Sequence, residues 1–374
     1  MAEPLKHLIG AETARDTADA VARAWGPFDH AAFLTDTLAV IDSLELMQRG
    51  QCIADALHRH LPGDFETAAR LLSDCLPARE VPGLSGWALL SFNQYIARHG
   101  RGHLATALDL LKSLTPHFTA EFGIRPFIAE KQDAALAVIS SWVLDPNHHV
   151  RRLASEGTRP RLPWAMRLPQ LVADPTPILP ILEALIDDPE DYVRRSVANS
   201  LNDIAKDHPN LVADFVERHA KGASKERLWL LKHASRTLIK KGHGKALANF
   251  GFAALTDVEA TLTLAAHRID FPGELAFEIR LSNTGAETRT VLVDYAIHHQ
   301  KKDGSLSPKV FKGKSLTIAA GDSVTIARRH AFRPITTRVY HPGRHRLEIM
   351  MNGVVQTGAD FNLSAFGGSD DEGH

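Results

Sequence analysis

Three features of the amino-acid sequence predict a mainly α chain that carries a β domain at its end. Up to about residue 250, apolar residues recur at helical spacing. Within that half, one stretch returns 43 residues later, from Asp145 to Asp188. From about residue 255 the texture changes to short alternating segments set apart by turn residues.

The helical half is read from patterns such as Leu104, Leu108, Leu110, Leu111 and Leu114, which share one helix face. Short breaks such as Leu61-Pro62-Gly63-Asp64 and Pro82-Gly83-Leu84 separate the helices. The repeat aligns Asp145-Pro146-Asn147-His148-His149-Val150-Arg151-Arg152 with Asp188-Pro189-Glu190-Asp191-Tyr192-Val193-Arg194-Arg195. A weaker third copy begins near Leu228-Trp229-Leu230-Leu231-Lys232. Asp-Pro is expected to cap each helix start, with Pro tolerated in the first turn, and Val-Arg-Arg to begin the inner face. Two helices per unit of about 40 residues is the signature of HEAT-like repeats, which stack into an α-helical solenoid. Residues 1–252 are assigned to it, with an irregular helical bundle as the alternative.

Residues 255–365 are assigned to an immunoglobulin-like β-sandwich. The alternating segments are Val258 to Leu264, Leu275 to Leu281, Thr290 to Tyr295, Ser323 to Ile326 and His345 to Met350. Asp303-Gly304, Gly321-Asp322, Pro342-Gly343 and Asn352-Gly353 supply turns between strands, of which roughly seven are expected. The tail, 366–374, is rich in Gly, Ser and Asp and is expected to be disordered.

The net charge of −1 hides a strong asymmetry. Residues 1–100 carry eight Lys and Arg against thirteen Asp and Glu. Residues 221–245 carry eight basic residues against Glu226 alone, and 145–167 hold five arginines against Asp145 and Glu156. In 296–346 eleven basic residues face Asp303 and Asp322. A polyanion responds to a local basic surface rather than to the sum, so nucleic acid stays open as a partner. Met1 to Lys6 shows no basic stretch ahead of an apolar run, and no apolar stretch is long enough to span a bilayer, so neither a signal peptide nor a membrane partner is expected. Cys52 and Cys75 form no metal-type pair or disulfide framework and suit a reducing cytoplasm. His148-His149 and His298-His299 are adjacent, a poor spacing for metal ligands on one helix face. The motifs of NTPases, zinc hydrolases and serine hydrolases are absent.

On the helix from Val193, a core stripe of Val193, Val197, Leu201 and Ile204 leaves Arg195, Asn199 and Asp203 on the opposite face. In the preceding repeat Val150 and Ala154 take the core positions, which sets Arg152 and Glu156 where Arg195 and Asn199 stand. Stacked repeats should therefore line up Arg152, Glu156, Arg195, Asn199 and Asp203 on one surface. A carboxylate on an arginine-rich face repels phosphate, so it is either locally paired or present for chemistry. In the first case Glu156 pairs with Arg152, and Asp203 caps or pairs with Lys206 or Arg195, at a gain on the order of 0–1 kcal/mol. Trp164, in the basic loop Arg159-Pro160-Arg161-Leu162-Pro163-Trp164, either stacks on a base or sugar or packs between helices. Trp229 reads as a core residue, with Lys232 and Arg236 on its helix available to phosphate.

The stretch from Leu144 to Ala165 and that from Tyr192 to Asp207 resemble the AlkC family of DNA alkylation-repair glycosylases, relatives of AlkD with a HEAT-like fold. The similarity runs through residues 1 to about 250, and many members carry a C-terminal immunoglobulin-like domain. The resemblance implies a monofunctional enzyme, without metal or cofactor, that excises cationic lesions such as 3-methyladenine and 3-methylcytosine from double-stranded DNA. It implies catalytic carboxylates at Glu156 and Asp203, with Glu121 as a third acidic residue near the lesion. Arg152 and Trp164 match positions expected at the lesion nucleotide, while Arg159, Arg161, Arg195 and Lys232 are expected to hold phosphates. It implies attack without full base flipping, and a monomer is expected. The eleven basic residues of 296–346 lead to the further expectation that the sandwich helps to encircle DNA through phosphate contacts, with a stabilising appendage bearing a solvated basic face as the alternative. The competing reading is a non-catalytic HEAT-repeat scaffold that binds DNA or protein.

Overall fold

The computed structural model describes residues 5–78, 81–336 and 338–364. The expected tail, 366–374, lies outside them. The chain forms two compact units, one running to Asp207 and including Ser224–Ala234, the other made of His208–Ala223 and the chain from Ser235 onward. Among the described residues no helix is long and apolar enough to cross a membrane.

The first unit is helical repeats. Three helices from successive repeats, His148–Glu156, Asp191–Ile204 and Lys225–Ala234, pack side by side with Asp191–Ile204 in the middle. The middle helix forms because Val193, Val197, Leu201 and Ile204 recur at helical spacing, and each is at most 1% exposed. Each such side chain contributes about 1.5–3 kcal/mol by leaving water. Small residues let the neighbouring helix approach closely: the hydroxyls of Ser155 and Ser196 are buried 2.6 Å apart across the seam.

The Asp-Pro pairs do not cap these helices, contrary to expectation. Asn147 is the N-cap of His148–Glu156, accepting from the His149 N–H at 2.8 Å. Asp145 and Asp188 lie two residues before the N-caps Asn147 and Glu190 and accept from the N-cap backbone N–H, at 2.8 and 2.9 Å. The repeated Arg-Arg also divides its labour. The first arginine turns back on its own Asp-Pro carbonyls: Arg151 Nη1 donates to Asp145 and Pro146 at 3.0 and 3.1 Å, and Arg194 Nη1 to Asp188 and Pro189 at 2.6 and 2.8 Å. Arg151 also forks onto the Asp188 carboxylate at 2.6 and 3.0 Å, tying one repeat to the next. Only the second arginine, Arg152 or Arg195, is left for the functional face.

The second unit holds eight strands: β1 (Val258–Leu264), β2 (Arg268–Ile269), β3 (Gly273–Asn283), β4 (Arg289–Gln300), β5 (Leu306–Ile318), β6 (Ser323–Phe332), β7 (Gly343–Met351) and β8 (Val354–Leu363). They form an immunoglobulin-like sandwich of sheets β1-β3-β6 and β2-β8-β7-β4-β5, antiparallel except at β2–β8. Alternation works as expected in β3, where Leu275, Phe277, Ile279 and Leu281 point into the core. A bulge between Val293 and Tyr295 shifts the register of β4 against β5. Gly313 is required opposite it, because a Cβ there would lie 1.8 Å from the Val293 carbonyl oxygen. The helices Pro209–Ala220, Arg236–Lys240 and Gly244–Ala248 belong to the same compact unit.

The sandwich buries histidine. His299 and His330 are 6% and 8% exposed, and burial, reinforced by nearby cations including Arg338, pushes their pKa values from 6.5 down to about 3 and about 4. Both rings are neutral in the folded unit and take up protons on unfolding. Stability is therefore full above pH 6.5 and falls as pH drops towards 4. The expected loss is about 1 kcal/mol per pH unit per ring, the limit of about 1.4 reduced for remaining solvent contact. Hydrogen exchange of β4 and β6 checks this; protection that stays constant from pH 7 to about 4.5 contradicts it. All five tryptophans lie in the helical unit and give it a separate fluorescence readout.

Candidate active site

Glu156 closes the helix His148–Glu156, and Asp203 sits in the last turn of the neighbouring helix Asp191–Ile204. Both side chains are buried, at 5% and 2% exposure. Arg159, on the turn that follows the first helix, joins them. Its Nη1 donates to Glu156 Oε1 at 2.6 Å and its Nε to Asp203 Oδ2 at 2.8 Å. The other Asp203 oxygen accepts from Lys206 Nζ at 2.8 Å. Arg152 lies 3.5 Å from Glu156 Oε1, bonds Glu121 Oε2 at 2.7 Å and donates to the Thr119 hydroxyl at 3.2 Å. The result is a continuous alternation of three carboxylates and three cations, in the order Glu121, Arg152, Glu156, Arg159, Asp203, Lys206.

The pairings Glu156–Arg152 and Asp203–Lys206 that the sequence allows as surface contacts are present, but within a mostly buried network. Burial works against the charge of Arg159, yet Glu156 and Asp203 more than offset it and raise its pKa above the ordinary value. Two interior carboxylates share one guanidinium, so the network as a whole is balanced while its acidic groups stand preorganised beside one another. Low surrounding dielectric makes the field of each group strong.

A second arginine, which the sequence reading did not single out, supports this turn. Arg125 is fully buried. Its Nη1 donates to the carbonyls of Gly157 and Arg159 at 2.9 and 2.8 Å, and its Nε to that of Met166 at 2.7 Å. Burial and the nearby Arg159 charge lower its pKa to about 10. The available signal was an arginine set among Ile124, Phe127 and Ile128, all of which face the core. The loop it clamps displays Trp164, 72% exposed and at a φ of 62°, a left-handed conformation that a bulky residue adopts only under constraint.

The remaining sequence-named residues divide into groups. Glu121 and Arg152, with Phe118, Thr119, His149 and Tyr192, line a cavity of about 400 Å3. Arg161 is forked onto Asp207 by two 2.8 Å bonds. Arg195 is exposed and pairs with Asp191 at 2.5 Å. Lys232 is exposed. Trp229, read from sequence as a core residue, is 41% exposed instead and lies over Arg195. Asn199 is joined to His233 at 3.3 Å.

Helical repeats followed by an immunoglobulin-like domain are an architecture that comparison with known proteins also finds. Residues 116–238 match the family model described as DNA alkylation repair enzyme. Residues 258–365 match the C-terminal immunoglobulin-like domain of the uncharacterised protein YhaZ. The chain is 36% identical to the uncharacterized protein YhaZ of Bacillus subtilis strain 168 over 362 residues, which is 96% of this chain and 99% of that protein. It is 35% identical to the Pseudomonas fluorescens alkylpurine DNA glycosylase AlkC, whose structure was solved bound to DNA containing an abasic site analog. That match has a TM-score of 0.81 and covers 97% of this chain and all of the other. The protein belongs to the AlkC-like DNA alkylation repair family.

Proposed function

We propose that the protein is a monofunctional DNA glycosylase that hydrolyses the N-glycosidic bond of cationic alkylated bases, 3-methyladenine and 3-methylcytosine, in double-stranded DNA. The observation that carries the reading is the buried pair Glu156 and Asp203, bridged by Arg159 in a family of alkylation-repair enzymes.

The chemistry follows from charge. A base alkylated at N3 is already cationic, so it leaves as a neutral molecule and needs no acid to protonate it. As its bond to C1′ breaks, positive charge moves onto the deoxyribose. Preorganised carboxylates stabilise that oxocarbenium-like state and orient or deprotonate the attacking water. Glu121, at the cavity, adds negative charge where a cationic base is drawn in. Arg195 and Lys232 are exposed to meet phosphates, and exposed Trp164 offers a face for a base or sugar. Arg159 is buried between the two carboxylates, so its proposed contribution is to hold the site rather than to grip the backbone, while Arg161, paired with Asp207 outside that network, keeps its proposed backbone role. In this reading the lesion is attacked without full extrusion, and the basic sandwich adds phosphate contacts.

The test is release of free 3-methyladenine from methylated duplex DNA. Wild type is expected to release it, and Glu156→Gln to do so at least about a hundredfold more slowly. A wild type that binds the duplex but frees no base fails the enzymatic reading and leaves a DNA-binding scaffold.

A further inference from the structure

The functional arginine of one repeat meets an aromatic ring from the next. His149, Tyr192 and Trp229 each stand three residues before a cation, namely Arg152, Arg195 and Lys232. The Arg152 guanidinium lies 4.9 Å from the centre of the Tyr192 ring, and that of Arg195 lies 5.3 Å from the Trp229 ring. Tyr192 and Trp229 are 42% and 41% exposed, so burial in the core does not account for their placement. The rings are themselves supported. His149 meets Tyr192 edge-on at 5.7 Å, and Trp229 stacks on His233 at 5.1 Å with the planes 7° apart. The strip thus alternates ring and cation along the stacked helices.

A ring over the face of a guanidinium leaves its N–H edges directed in plane, where carboxylate or phosphate binds. The Arg152 edge is taken up by Glu121, Thr119 and Glu156. The Arg195 edge meets Asp191 in a pair whose side chains are 62% and 51% exposed. Water and salt screen such a pair, and a phosphate can replace it. We propose that Tyr192 and Trp229 are positioning residues: Tyr192 holds Arg152 on the carboxylate site, and Trp229 holds Arg195 for the phosphates of one DNA strand. This rests on the reading of the protein as an enzyme acting on duplex DNA.

The experiment measures lesion-free duplex binding against salt concentration, and excision under single-turnover conditions. Trp229→Leu is expected to weaken binding about three- to fivefold. It should also make the slope of log affinity against log salt shallower, by up to about one. Trp229→Phe should restore most of both effects, and Trp229→Leu should add nothing in an Arg195→Gln background. A wild-type slope for Trp229→Leu, or additive losses in the double variant, overturns the proposal. Tyr192→Leu should slow excision about fivefold while Tyr192→Phe does not, because the ring and not the hydroxyl does the holding. Equal losses in both Tyr192 variants overturn that half. A wild-type protein without salt-dependent duplex binding fails the DNA reading first, and the positioning roles with it.

Discussion

Asp203→Asn is expected to lower single-turnover excision of 3-methyladenine by about two to three orders of magnitude, close to the loss of one preorganised charge-stabilising group in a dry site. Asn has nearly the shape of Asp and keeps an oxygen for either Arg159 or Lys206, so the change is one of charge more than of packing. At 2% exposure the Asp203 carboxylate has little water to dilute its field, which is why a large effect is expected from one group. Glu121 offers the internal comparison. Its side chain lines the cavity and is 12% exposed against 2% for Asp203, so solvent reaches it more readily, and Glu121→Gln should cost only about tenfold. Rates at saturating protein separate this from weaker DNA binding. Full activity in Asp203→Asn rules out Asp203 as a catalytic carboxylate.

Arg159→Met should be the most destabilising single change at the site. It leaves Glu156 and Asp203 buried without the guanidinium that both share. Breaking a buried pair by removing one partner costs about 3–5 kcal/mol, because the remaining charge stays desolvated. In a unit of this size that lowers the unfolding midpoint by roughly 10 °C. Tryptophan fluorescence reports it, since every tryptophan lies in the helical unit. Adding Glu156→Gln and Asp203→Asn to Arg159→Met removes the two buried charges that lose the shared guanidinium and should recover much of the loss. If the triple variant is no more stable than Arg159→Met, the loss is one of packing, and the shared ion pair is not what holds the turn.

The sequence alone determined the elements whose signal is local. Val193, Val197, Leu201 and Ile204 specify a helix because burial on one face repeats every turn. The Asp-Pro…Val-Arg-Arg recurrence marks the repeat because stacked units reuse one geometry. The inward residues of β3 specify a strand because side chains alternate across a sheet. β2, two residues long, and β5 and β8 escaped that reading. β5 is a sheet-edge strand with one buried residue that carries Pro308 and Gly313, and β8 shows little alternation, so neither carries the period-2 pattern.

Tertiary structure decided everything that depends on residues distant in sequence. Periodicity placed Asp203 on the face opposite the core, but the turn after the preceding repeat covers it and brings Arg159 against it from 44 residues away. No local pattern distinguishes that arginine from one free to bind phosphate. The same holds for Arg125, which reaches backbone carbonyls 32 to 41 residues on, and for Trp229, which folds over an arginine of the preceding repeat rather than into the core. Sequence sets which charges are present and on which helices. Only the packing of one repeat on the next determines which of them are desolvated and paired, and desolvation is what turns an ordinary ion pair into a site able to stabilise a cation.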